Sequence, residues 1–314
     1  MRENKVLHKT MIGGQAVIEG VMMRGLEYSA LAVRLPNGTI DLEKWKIKNG
    51  KNKPWYRKVP IIRGCCNFVT SMAEGYKCLS KSAEKATNFE DEEEEMSKFE
   101  KWLTDKLGDK LMGILTTISM FLGIALAVLL FVYLPTWIVS LFGNVGPFKA
   151  LLEGIIKIAI LILYLWLTSK MKDMKRTYEY HGAEHKTIAC YEAGEELTVE
   201  NVKRQRRFHP RCGTSFIFLV LIVGIVIFSF LFSSVDNTWI RMALRLLTLP
   251  LIVGVSYELI KIAGRYDNIV TRIISAPGMA LQRITTNEPD DSEIEVAIAA
   301  FKAVAPEEDE DDRW

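Results

Sequence analysis

The chain has 314 residues and a formal net charge of +2, so it lacks the basic excess that binds nucleic acid. Hydrophobic residues make up 49% of it and charged residues 25%, which excludes neither a soluble nor a membrane protein. Five cysteines, two of them adjacent, are poor material for a disulfide framework and are typical of a reducing compartment. The distribution is more informative: apolar residues are concentrated between Leu111 and Ile262, and charged residues outside.

Residues 1–89 have the pattern of a small α+β domain. Alternation predicts a strand at residues 29–34, a turn at Pro36-Asn37-Gly38 and a returning strand at residues 40–47. A helix is predicted from Pro60 to about Ala86, because apolar residues recur there at helical spacing. We expect this apolar stripe to pack against the hairpin. It consists of Ile61, Cys65, Phe68, Val69, Met72 and Leu79.

Four later segments are apolar enough to cross a bilayer, each with close to the ~20 residues that a ~30 Å hydrocarbon core requires. An acidic linker and a pre-span helix, predicted at residues 90–110, precede the first. The second segment carries Glu153 and Lys157, and the fourth is interrupted by Arg245, Glu258 and Lys261. The four predicted spans are residues 111–134, 150–168, 215–232 and 244–262.

Basic residues set the expected orientation. Residues 169–214 form a loop rich in lysine and arginine, whereas the two other connections between spans carry few basic residues. Positive charge is retained in the cytoplasm, so this loop and both termini are predicted to be cytoplasmic. Residues 263–314 then form a cytoplasmic segment with amphipathic helices and an acidic tail. One of these helices is predicted from Glu293 to Val304, with its apolar residues Ile294, Ala297, Ile298 and Phe301 in one stripe. The sequence thus predicts a mainly α-helical integral membrane protein with about four transmembrane helices and a small cytoplasmic α+β domain.

The basic loop contains His181-Gly182-Ala183-Glu184-His185. In a helix, at ~100° per residue, His181, Glu184 and His185 point to the same side. Two imidazoles and a neighbouring carboxylate in the spacing H-x-x-E-H match the inverted zincin signature. This pattern predicts a zinc site with Glu184 as the catalytic general base.

The loop ends with His209 and Cys212, which can reach the same ion as His181 and His185. Imidazole nitrogen and thiolate are both zinc ligands, and four such ligands complete a tetrahedron. The alternative is that the two histidines of the helix cap a basic surface helix and that Cys212 is a small buried residue. The sequence leaves open which of His209 and Cys212 is a ligand.

Further candidates lie in polar positions within apolar surroundings. The glycine-rich segment of residues 13–25 carries Gln15, Glu19 and Arg24. One interpretation is a set of tight turns in which Glu19 pairs with Arg24 or Arg63; the other is a strand and turn that bring Glu19 to the loop site. Glu258, within the fourth span, is either a functional residue or a side chain that snorkels or pairs with Lys261.

Five motifs resemble the YqhQ-like family of bacterial multi-pass membrane proteins. They are Gly13 to Gly25, Pro60-Ile61-Ile62-Arg63-Gly64, His181 to Lys186, His209 to Phe216, and Pro277-Gly278-Met279-Ala280-Leu281-Gln282. The family has been described as predicted metal-dependent enzymes. The resemblance implies a bacterial cytoplasmic membrane as the location.

Three functions are compatible with these patterns. The first is a non-catalytic membrane factor that binds other membrane proteins in membrane-protein assembly or envelope homeostasis, with a four-ligand structural zinc. The second is a zinc-dependent hydrolase of a peptide or lipid. The third is a transporter that uses Glu153, Lys157 and Glu258, although no inverted repeat is visible.

Overall fold

The computed structural model describes residues 8–48, 54–86, 110–143, 145–232, 235 and 237–306. The chain divides into two compact units. The first contains Met1–Ala86, Ile162–Gly224 and Leu247–Trp314, and the second contains Thr87–Leu161 and Ile225–Leu246. The described residues are mainly helical, with four long apolar helices and one four-stranded sheet.

An antiparallel sheet forms the N-terminal part of the first unit. Its strands, in spatial and sequence order, are β1 (Gly13–Val17), β2 (Gly20–Arg24), β3 (Tyr28–Arg34) and β4 (Ile40–Lys46). The predicted hairpin is confirmed as β3–β4, with Gly38 at a φ of 84° in the turn. The glycine-rich segment forms the hairpin β1–β2, in which Glu19 occupies the turn at a φ of 49°.

Ten α-helices follow within the described residues. They are α1 (Ile62–Ala86), α2 (Lys110–Val128), α3 (Leu134–Ser140), α4 (Lys149–Thr168), α5 (Lys172–Glu192), α6 (Val199–Arg204), α7 (Gly213–Leu231), α8 (Thr238–Arg265), α9 (Ile269–Thr285) and α10 (Asp291–Val304). Four helical stretches are long and apolar enough to cross a membrane: Thr117–Ser140, Lys149–Thr168, Gly213–Leu231 and Ile240–Arg265.

The first apolar stretch extends further than predicted. A π-helical turn, Leu129–Tyr133, joins α2 to α3, so the helix continues to Ser140 instead of ending near residue 134. Pro135 lies just after this turn. A proline ring clashes with the carbonyl four residues earlier in a regular helix, and the wider turn relieves that clash.

The sheet shares a hydrophobic core with distant parts of the chain. One face packs on α5 and α10, and the α10 stripe predicted from helical spacing is confirmed as buried. The core includes Val21, Met23, Ala30 and Ala32 of the sheet, Tyr180, Ala183 and Ile188 of α5, and Ile294, Ala297, Ile298 and Phe301 of α10. Residues from the middle and the end of the chain thus belong to the same unit as the predicted N-terminal domain.

Helix α1 packs on the opposite face of the sheet, but not through its predicted stripe. Its buried residues are Gly64, Gly75, Cys78 and Ser82. An added Cβ at Gly75 would overlap the side-chain amide of Gln15 in β1, so a larger residue there would displace Gln15. Val69 and Met72 are 65% and 55% exposed, and Leu79 is exposed as well. The predicted packing of this stripe is wrong, because spacing identifies an apolar face without saying what covers it.

Candidate metal centre

Helix α5 carries His181, Glu184 and His185 beneath the segment that joins α9 to α10. An added Cβ at Gly182 would overlap the carbonyl oxygen of Asn287, so glycine lets this segment cross close to the helix. The backbone amide of Asn287 donates to the carbonyl of Tyr178 at 2.8 Å and fixes the crossing.

Three of the four predicted ligands converge. The side-chain ligand atoms of His181, His185 and Cys212 all lie within 4.8 Å of one another, and the His181 Nε2–Cys212 Sγ distance is 3.1 Å. Nδ1 of His181 lies 2.8 Å from the carbonyl oxygen of Thr285. Nδ1 of His185 lies 2.6 Å from the carbonyl oxygen of Arg207. Because a carbonyl only accepts, both Nδ1 atoms carry a hydrogen. A metal would therefore bind the Nε2 atoms, each in its unprotonated form.

The cluster favours a thiolate. Burial acts against the charged forms of His181 and Cys212, but their mutual attraction is stronger. The Cys212 thiolate raises the pKa of His181 to about 9. His181 and His185 together hold the pKa of the Cys212 thiol well below its ordinary value. Thiolate is the form of cysteine that binds a metal.

Glu184 is buried beside this cluster. Burial raises the pKa of its carboxyl group, while the two imidazoles and a hydrogen bond from the Gly14 backbone act in the opposite direction. An added Cβ at Gly14 would lie 2.9 Å from the Glu184 carboxyl carbon, so β1 approaches the carboxylate closely. Two buried atoms of the site have no hydrogen-bond partner among the described residues: Glu184 Oε2 and His185 Nε2.

His209, the fourth predicted ligand, is not part of the cluster. Its Nε2 lies 3.2 Å from Arg211 Nη2 and 3.6 Å from Glu192 Oε2. Its backbone is held by Gln282, which accepts from the His209 amide at 2.8 Å and donates to the His209 carbonyl at 2.7 Å. Glu192 also accepts from Arg211 and from the Thr10 backbone at 2.9 Å. Glu192 and Gln282 were not predicted, since neither lies in a spacing that indicates a site.

A cavity of about 370 Å³ opens beside Glu184, His185 and Cys212. Gly14 and Gln15 of β1 line another side, and further lining comes from Arg24, Arg57, Asn67 and Tyr257. The sheet, α1, α5 and the start of α7 thus surround a space of the size that holds part of a small organic molecule.

The remaining candidates form ion pairs. Arg176 donates to Glu19, and Tyr180 Oη donates to Glu19 at 3.2 Å, so the predicted pairs of Glu19 with Arg24 or Arg63 are wrong. Arg24 pairs instead with Glu74. Arg63 Nε donates to Glu258 Oε1 at 2.7 Å. Glu258, in the fourth apolar helix, therefore has a partner other than the predicted Lys261. These pairs follow from contacts between distant segments, which local spacing does not reveal.

Comparison with known proteins identifies the family. Residues 59–307 match the family described as "Protein of unknown function (DUF1385)", and this range contains His181, Glu184, His185 and Cys212. The chain is 33% identical over 293 residues to "Uncharacterized protein YqhQ" of Bacillus subtilis (strain 168), covering 92% of this chain and 90% of that protein. No solved structure matches the chain. The resemblance seen in the sequence motifs is confirmed, and the chain belongs to the YqhQ-like DUF1385 family.

Proposed function

We propose that the protein is a membrane-bound, zinc-dependent hydrolase whose site lies at the cytoplasmic face of a bacterial cell membrane. The observation that carries the proposal is the convergence of His181, His185 and Cys212 beside Glu184, at the wall of a cavity. Catalytic zinc sites typically take three ligands from the protein and leave one position open.

The membrane location is supported by the four long apolar helices. The basic residues of 169–214 favour the cytoplasm for this loop, and with four spans both termini lie there too. The His/Cys site, which this loop carries, would then face the headgroups of the inner leaflet. A peptide or lipid at the membrane surface suits this position.

The donor set fits zinc. Two imidazole Nε2 atoms and a thiol biased towards thiolate are ligands that zinc prefers. Backbone carbonyls hold the opposite nitrogen of each ring, as the supporting hydrogen bonds of metal-bound histidines commonly do. Glu184 Oε2 is buried without a hydrogen-bond partner among the described residues, which costs on the order of 1–3 kcal/mol, and a water held at this place by the metal would remove that cost.

The chain's own residues would supply the proton transfer. When bound, zinc supplies the Lewis acidity that makes water a nucleophile at neutral pH. Glu184 lies beside the ligands and has one free carboxylate oxygen to accept a proton from that water. The Gly14 backbone orients the carboxylate, and the cavity admits the substrate bond.

A four-ligand structural zinc in a protein-binding membrane factor has less support. That arrangement requires His209, whose side chain is directed to Arg211 and Glu192. Helix α1 does leave an apolar face exposed, so contacts with other membrane proteins are compatible with a hydrolase.

The test is Glu184→Gln in zinc-loaded protein incubated with a bacterial membrane extract, with products identified by mass spectrometry. Glutamine keeps the size of the side chain but does not accept the proton as a base, so we expect zinc content to persist and hydrolysis to fall by ~10²–10⁴-fold. Glu179→Gln is the matched control on the same helix, since Glu179 pairs with Lys175 instead. Equal product formation by wild type and Glu184→Gln would overturn the hydrolase.

A further inference from the structure

Helix α1 presents an apolar face that does not pack on the sheet. Ile62, Val69, Met72 and Tyr76 are all exposed. At ~100° per residue they fall within about 80° of one another around the helix, so they form one continuous stripe. An apolar surface of this kind on a folded protein marks a contact with a partner or with a membrane.

The start of α1 packs closely on α8, the fourth apolar helix. An added Cβ at Gly64 would lie 3.0 Å from the Gly254 Cα. An added Cβ at Gly254 would in turn overlap the side chain and the carbonyl oxygen of Ile61. Cys65 Sγ donates to the Pro250 carbonyl oxygen at 2.9 Å. Close approach through small residues is typical of helices that meet within a bilayer.

These contacts give the depth of α1 along the apolar helices. Gly254 lies about 16 Å before the end of α8 at Arg265, from the helical rise per residue. Phe68 packs on Phe216, with ring centroids 5.7 Å apart, and Phe216 lies about 5 Å from the start of α7. Under the proposed membrane location, on which this inference rests, the end of α8 and the start of α7 lie at the cytoplasmic surface. The start of α1 therefore lies about halfway into a ~30 Å hydrocarbon core, and the helix runs from there towards the cytoplasm.

The segment before α1 reaches this depth from the same side. Its 3₁₀ turn, Trp55–Arg57, lies at the level of Thr70, because Arg57 Nη2 donates to Thr70 Oγ1 at 3.2 Å. Trp55 and Tyr56 are exposed in this turn, and aromatic residues of this kind are enriched at the headgroup level. The chain thus enters and leaves on the cytoplasmic side.

The reversal between the two arms is hydrogen-bonded, as backbone at membrane depth must be. Ile61 occupies it at a φ of 69°, and its amide donates to Glu258 Oε1 at 3.4 Å. The Ile62 amide donates to the Pro60 carbonyl at 2.8 Å, and Pro60 has no amide hydrogen to satisfy. Arg63 and Glu258 neutralise each other beside the turn, which lowers the cost of placing either charge at this depth.

We propose that residues 55–76 form a re-entrant segment inserted into the cytoplasmic leaflet, with phospholipid acyl chains as the partner of the apolar face of α1. The acyl chains cover Ile62 and Val69, and Met72 and Tyr76 reach the headgroup boundary. The contacts with α7 and α8 make this face continuous with the apolar surface of those helices. Part of the predicted cytoplasmic N-terminal domain therefore lies within the membrane.

The test is photolabelling in liposomes of phosphatidylcholine that carries a diazirine on its acyl chain, with labelled residues located by mass spectrometry. We expect label on Ile62, on Val69 and on α4, which serves as the membrane reference. Leu42 of β4 is the matched control, because it is 45% exposed, as Ile62 is, but lies on the sheet and should remain unlabelled.

Val69→Asp gives a second measurement. A carboxylate avoids hydrocarbon, so we expect a several-fold loss of label at Ile62, whereas Leu42→Asp should leave that label unchanged. Label on α4 without label on α1 would overturn the re-entrant segment, as would cross-links from the α1 face to a second copy of the chain in place of lipid. Absence of label from α4 would overturn the membrane location, and this inference with it. Photolabelling does not require hydrolysis, so the hydrolase is tested separately by Glu184→Gln.

Discussion

The two units each contain a buried polar cluster, and the two clusters differ in how their polar groups are paired. In the first unit, two imidazoles and a thiol converge beside a carboxylate, and two buried polar atoms of this group have no hydrogen-bond partner among the described residues. In the second, Arg241, Arg245 and Lys157 surround the carboxylate of Glu153. The first cluster offers acceptor atoms to a cation, whereas in the second cluster both arginines donate to the one carboxylate. Buried polar groups need partners, and the two clusters meet that need in different ways.

The largest expected effect is loss of the metal. Wild type should bind about one zinc ion per chain, and His185→Ala should bind almost none, because a catalytic site has no ligand to spare. His209→Ala is the control that sharpens the comparison, since that side chain lies outside the cluster and the variant should keep its zinc. Metal analysis of the purified proteins measures both. Loss of zinc from a folded His209→Ala protein would contradict the three-ligand assignment.

A smaller effect is expected from the segment that crosses α5. In Gly182→Ala the added methyl group collides with the Asn287 carbonyl oxygen and displaces Thr285, whose carbonyl orients the His181 ring. Loss of such a supporting hydrogen bond typically weakens metal binding by about 10–100-fold. Gly213→Ala is the matched control, because a Cβ there meets no atom within 4 Å. Competition with a metal-binding dye gives both affinities, and equal values would argue against this role of the crossing segment.

The smallest effect concerns pH. Burial opposes ionisation of Glu192, but His209 and Arg211 outweigh it and lower its pKa from 4.5 to about 2. A depressed carboxyl pKa stabilises the fold above pH 4.5, and this contribution is lost as the pH falls from 4.5 towards 2. We expect Glu192→Gln to lower stability by about 1–3 kcal/mol near neutral pH and to flatten the loss of stability in acid.

Tryptophan fluorescence during thermal unfolding in detergent measures this difference. Asp267→Asn is the control, because the exposed Asp267–Arg272 pair should contribute little. If the stability of wild type and the stability of Glu192→Gln change with pH in the same way, Glu192 does not hold His209 and Arg211 through its charge.

The sequence by itself determined the features that depend on neighbouring residues. Long apolar stretches identified the four long helices, because length and hydropathy are local properties. Alternation and a turn motif identified the β3–β4 hairpin, and helical spacing identified the buried stripe of α10. The spacing of His181, Glu184 and His185 predicted a shared side of one helix, since 3.6 residues make a turn.

Only the tertiary structure decided which distant groups meet. It joined Cys212 to the two histidines and directed His209 to Glu192, although both lie in the same short motif. It paired Glu19 with Arg176, and it turned the small residues of α1, not its apolar stripe, towards the sheet. These outcomes depend on close approach between segments far apart in the chain. Side-chain volume and the pairing of buried charges decide which segments meet, and local sequence patterns do not distinguish the possible pairings.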